Sequence, residues 1–94
     1  MSKDASQSAM ALFNLMETVV SDEARESKCI EEFEKLVENY TKQHSIEDLA
    51  KERYEGTKKE NCRGCNVLQM AAYLGLSLVV GCLLRIGTDS YTQL

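Results

Sequence analysis

Residues 66–87 read NVLQMAAYLGLSLVVGCLLRIG, and the fold turns on how this stretch is taken. No charged residue stands between Arg63 and Arg85, whereas the chain as a whole is 28% charged. A membrane span needs about 20 mostly apolar residues that satisfy their own backbone hydrogen bonds. Between Val67 and Leu84 only Gln69 and Ser77 are strongly polar, so length alone allows a tail anchor over 67–84. Internal punctuation favours a different solution. Asn66 can cap a helix, Gly75 can end it in the left-handed conformation, Ser77 can cap a second helix and Gly87 can end that one. The stretch then becomes two helices of about two turns each, neither long enough to cross a bilayer. If they fold back on one another, Leu68, Ala71 and Ala72 of the first face Val79, Val80, Leu83 and Leu84 of the second.

The rest of the chain supports the compact alternative. At 94 residues it forms at most one small domain with a modest core and no room for a large active-site cavity. Hydrophobic residues make up 44%, Pro and Trp are absent and the net charge is −4, the profile of a soluble all-α protein. That charge, with no compensating basic face, argues against nucleic acid as a partner. Cys29, Cys62, Cys65 and Cys82 could form two disulfides. Free thiols in the cytoplasm are the preferred expectation, because no signal peptide is read and two cysteines fall in apolar helical patterns.

Upstream, apolar residues recur at three- and four-residue steps. Ala9, Leu12, Phe13, Met16 and Val19 or Val20 define a first amphipathic helix over 5–20, with Asp4 as its candidate cap. A polar segment, 21–28, separates or bends it from a second helix. The second stripe consists of Cys29 or Ile30, Phe33, Leu36 or Val37, and Tyr40, and Glu31–Lys35 and Glu38–Lys42 are spaced to pair on its exposed side. Ser45 followed by Asp48 has the form of a capping box opening a third, short helix. Ile46, Leu49, Ala50 and Tyr54 point inward from it, and Gly56 is positioned to end it. Lys58, Lys59 and Glu60 read as a solvated connector.

Residues 61–89, NCRGCNVLQMAAYLGLSLVVGCLLRIGTD, resemble an ankyrin repeat, about a third of the chain. The positions that carry the resemblance are Gly64, Leu68, Ala71, Ala72, Gly75, Val79, Val80, Leu83, Leu84, Gly87 and Asp89. The resemblance implies a turn finger, an inner helix from about Val67 to Leu74 and an outer helix from about Leu78 to Ile86. Asn66, Val67, Leu68 and Gln69 replace the Thr-Pro-Leu-His of that family, which implies a divergent or terminal repeat. One repeat cannot bury its apolar faces alone. Residues 1–60 therefore read as a helical N-terminal capping segment and 61–94 as a single divergent repeat, in one compact domain. Beyond it, either the protein continues or the open face takes a partner or a second copy, and monomer and homodimer both remain open.

The function this implies is a non-catalytic protein-interaction module or scaffold. Carried over position by position, the partner-binding surface is Cys62, Arg63, Cys65, Tyr73 and Leu74, with both cysteines on an exposed finger. Tyr and Arg are the expected anchors, because each offers large contact area with a polar handle.

Competing chemistry is weaker. Cys62 and Cys65 have the C-x-x-C form of zinc and thiol-redox sites, but no second ligand pair stands at a recognised spacing and no strand precedes them. His44 has no visible partner for general-base work. Glu31, Glu32, Glu47 and Asp48 read as surface and cap residues. Thr92, Gln93 and Leu94 resemble a terminus captured by strand addition, a short match. No cofactor, metal or small-molecule substrate is expected.

Overall fold

The computed structural model describes residues 2–18 and 23–88, with side chains described at 7–18, 27 and 29–88. It is all-α among those residues. Five helices occur in order: α1 (Ser2–Thr18), α2 (Glu23–Thr41), α3 (Ile46–Lys51), α4 (Val67–Tyr73) and α5 (Ser77–Ile86), with a 3-10 turn at Glu60–Cys62 before α4.

The long helices follow their apolar stripes. On α1, Ala9, Leu12, Phe13 and Met16 are all buried, and on α2 Phe33, Val37 and Tyr40 are buried at four- and three-residue steps. Asp4 lies inside α1 rather than ahead of it. The helix break falls between Thr18 and Glu23, and Val19 and Val20 lie outside the described residues. The pairs Glu31–Lys35 and Glu38–Lys42 do not form. Glu34 instead reaches Arg85 at 3.1 Å and ties α2 to α5, while Glu47 and Lys51 pair at 3.2 Å along α3. Both are exposed, so each contributes at most about 1 kcal/mol.

The short helices follow their caps. Ser45 Oγ accepts the Asp48 amide at 3.0 Å, closing the capping box of α3. Asn66 Oδ1 accepts the Gln69 amide at 2.8 Å while Gln69 Oε1 accepts that of Asn66 at 3.0 Å, a second capping box that opens α4. At its end Gly75 takes φ +73°, the Leu76 amide donates to Ala71 O at 2.9 Å and the Gly75 amide to Ala72 O at 3.1 Å. These two bonds are a Schellman turn, and buried Leu76 is its apolar closure. Leu76, not Ser77, is consequently the N-cap of α5, without a side-chain cap bond. Gly87 ends α5 in the left-handed conformation, and the buried Thr88 hydroxyl donates to Leu83 O at 2.9 Å.

The decisive stretch is thus two helices of 7 and 10 residues. No helix among the described residues is long and apolar enough to cross a membrane, and the anchor expected as the alternative over 67–84 is broken at Gly75. Helix α4 packs on α1 and α3, and α5 packs on α4 and α2. One helix pair therefore stacks on another, with α3 wedged between α1 and α4. A single core runs through both, from Leu12, Phe13 and Met16 through Phe33 and Tyr40 to Val67, Met70, Val79 and Leu83. Ala72 and Leu84, expected between α4 and α5, face outward instead, Leu84 at 47% exposure. A helix as short as α4 has one inward row, which Val67, Met70 and Ala71 fill.

Gly56 does not end α3. That helix stops at Lys51, with Glu52 extended at φ −69° and ψ 143°. The role of Gly56 is spatial: a Cβ there would meet the Tyr54 hydroxyl and Glu17 Oε2.

Candidate functional site

The finger between α3 and α4 is anchored by Tyr54. Residues 52–56 run without helical structure, and the Tyr54 amide donates to Cys65 O at 2.8 Å while the Gly64 amide donates to Tyr54 O, also at 2.8 Å. This reciprocal pair closes the neck of the finger, joining its start to its end. The Tyr54 ring is buried 5.7 Å from Phe13, its hydroxyl donates to the Glu17 carboxylate and it accepts the Lys59 amide at 3.2 Å. Burial, followed by the bond to Glu17, raises the pKa of Tyr54 and keeps the donor protonated.

Inside the finger, the amides of Cys62, Arg63 and Cys65 close tight turns onto Lys59 O, Glu60 O and Cys62 O at 2.8, 3.1 and 3.0 Å. Gly64 supplies the left-handed residue, φ +84°. Asn66 fastens the far end: besides capping α4, its Nδ2 donates to Ala50 O at 3.3 Å, so one buried side chain serves the start of α4 and the end of α3.

The expected partner-binding residues separate on this frame. Tyr73 is 59% exposed and Arg63 is exposed. Cys65 and Leu74 are half-buried. Cys62 is fully buried, which corrects its placement on an exposed finger: the turn folds its side chain into the core cluster rather than toward solvent. Burial, then the neighbouring Cys65, pushes the Cys62 thiol up, with Lys59 pulling the other way, so it is a protonated apolar group at neutral pH. Cys82, likewise buried and raised by desolvation, belongs to the core. All four cysteines are free thiols.

Tyr73 shares a pocket with residues that read in the sequence as a plain connector. Lys58, Lys59, Glu60, Asn61, Cys62 and Tyr73 line one shallow pocket of about 410 Å³, with buried Cys62 at its base. Arg63, Cys65 and Leu74 are outside that lining. The signal in the sequence was three cations, Lys58, Lys59 and Arg63, close together in an acidic chain.

Elsewhere, no group of three or more His, Cys, Asp or Glu among the described residues is gathered to hold a metal ion. His44 packs on Tyr40 with ring centroids 4.9 Å apart, and its Nε2 and the Tyr40 hydroxyl are buried without a hydrogen-bond partner among the described residues. Thr92, Gln93 and Leu94 lie outside the described residues, as does Asp89 of the repeat pattern. Comparison of the chain with protein-family models, with curated proteins and with solved structures finds no match.

Proposed function

We propose that this chain is a non-catalytic protein-binding module of ankyrin-like design. In this reading α4 and α5 form one divergent repeat, α1–α3 cap it, and the finger with the end of α4 is the recognition surface. The observation that carries the proposal is Tyr73, a large side chain 59% exposed at the end of a short helix, beside a finger whose backbone is pinned by Tyr54 and Asn66. A rigid aromatic flanked by cations is the composition of an interface anchor, since little ordering entropy is lost when it is covered. The order of packing, α4 on α1 and α5 on α2, supports the repeat reading, because stacked pairs are how such units bury their faces.

The partner is another protein or a second copy of this chain, with no nucleic acid, membrane or small-molecule substrate involved. Four unbridged cysteines fit the reducing cytoplasm. The test is affinity capture with the wild-type chain and with the double variant Tyr73→Ala, Arg63→Ala. Partner loss of tenfold or more with unchanged circular dichroism is the expected outcome. Undiminished capture contradicts the proposed surface, and light scattering on the same samples tells a second copy from a foreign partner.

A further inference from the structure

We infer that the pocket between Lys58, Lys59 and Tyr73 takes an acidic peptide segment of another protein, its carboxylates on the lysines and an apolar side chain against the tyrosine ring. The inference rests on the protein-binding reading above and specifies its partner. Three observations carry it.

The first is local charge. The chain has 11 basic and 15 acidic residues, yet between α3 and α4 Arg53, Lys58, Lys59 and Arg63 outnumber Glu52, Glu55 and Glu60, and the pocket itself is lined by Lys58 and Lys59 against Glu60. Neither ion pair among the described residues involves Lys58, Lys59 or Arg63: one joins Lys51 to Glu47 and the other Arg85 to Glu34. Their ammonium and guanidinium groups are unspent, and an incoming carboxylate gains them without breaking an existing bond.

The second is the division of charge over the surface. Helix α2 exposes Glu31, Glu32, Glu34 and Glu38, with Lys35 among them. An acidic segment is repelled there and drawn to the finger, which sets orientation as well as attraction. The third is the wall opposite the lysines. Tyr73, 59% exposed, lines the pocket with an aromatic side chain. A purely electrostatic anion site has no use for it, whereas a peptide with an apolar side chain beside its carboxylates does.

The test uses the full chain and a fluorescein-labelled Glu-rich peptide with one central Leu, read by fluorescence anisotropy against counterparts with Gln or Lys in place of every Glu. The Glu peptide is expected to bind at least about tenfold more tightly than the Gln peptide. Binding should also weaken as salt exceeds about 0.15 M, where the screening length falls to about 8 Å. The pair Lys58→Glu, Lys59→Glu should reverse the preference toward the Lys peptide, and the milder Lys58→Gln, Lys59→Gln should abolish it with the helical spectrum intact. Equal binding of the Glu and Gln peptides, or Glu-peptide binding indifferent to both lysine variants, overturns the inference. So does a dimer that dissociates on lysine substitution, because the occupant is then a second copy. A captured partner lost with Tyr73 and Arg63 but indifferent to Lys58 and Lys59 removes this inference and leaves the protein-binding function standing.

Discussion

Residues 66–87 and the finger just before them are neighbours in sequence, yet opposite kinds of information shape them. The helix pair is organised by local chemistry: Asn66 with Gln69 at one end, Gly75 and Leu76 in the middle, Gly87 and Thr88 at the other. Each of those bonds joins residues at most five apart. The finger is organised from a distance, by Tyr54 through the amides at 54 and 64 and by Glu17 of α1 through the Tyr54 hydroxyl. Local bonds set where the helices start and stop. Remote bonds set which side of the finger faces water.

The strongest way to break this contrast is Asn66→Ala, because Asn66 belongs to both systems. The change removes the α4 cap and one of the two donors to the Ala50 carbonyl, which keeps Arg53 Nη1 at 2.8 Å, at a cost of about 2 to 3 kcal/mol. Urea denaturation should show the loss directly, whereas Ser45→Ala, at an exposed cap, should cost about 1 kcal/mol. Next comes Gly56→Ala, which acts on the remote system alone. Its methyl group pushes against the Tyr54–Glu17 bond, so stability should fall by about 2 kcal/mol, measured the same way, with the helical circular dichroism unchanged.

Alkaline titration sharpens the contrast further, since the groups raised by burial lie in both regions. Burial pushes Tyr40 up to about 12, with Glu52 and Asp48 adding to it, and raises Tyr54, Cys62 and Cys82 as well. The folded chain keeps protons that the unfolded chain releases. Stability is therefore fully present below the ordinary thiol value of 9.0 and falls as pH rises through it, and falls further between 10.0 and about 12 as Tyr40 is forced to ionise. The slope is at most about 1.4 kcal/mol per pH unit for each group, followed as thermal midpoint against pH. The smallest effect belongs to Tyr73→Ala. An exposed ring outside the core should change stability by no more than about 0.5 kcal/mol, while partner binding suffers.

The same contrast explains what was legible in the sequence. Amphipathic stripes identified Leu12, Met16, Phe33 and Tyr40 as core, and the caps at Ser45, Asn66 and Gly87 located helix ends, because stripes and caps act over a turn or two. Ser77 and Gly56 depart from their expected roles for reasons no short window contains. Leu76 is claimed by the Schellman closure, which starts α5 directly after it, and Gly56 is small because Tyr54 and Glu17 occupy the space above it. The candidate site was half visible. Tyr73 and Arg63 are exposed as expected, but the burial of Cys62 depends on a turn held by Tyr54, and the lysines become a pocket only when α4 brings Tyr73 across from them.

Native-state hydrogen exchange at the amides of Tyr54 and Gly64 tests most directly whether the finger is part of the core. Both amides donate at 2.8 Å across the finger, so they should exchange in one cooperative unit with the α4 amides of Met70 and Leu74. If they exchange as freely as an open loop while α4 stays protected, the finger is not anchored, Cys62 is not held inside, and the surface built on Tyr73 and its cations loses its frame.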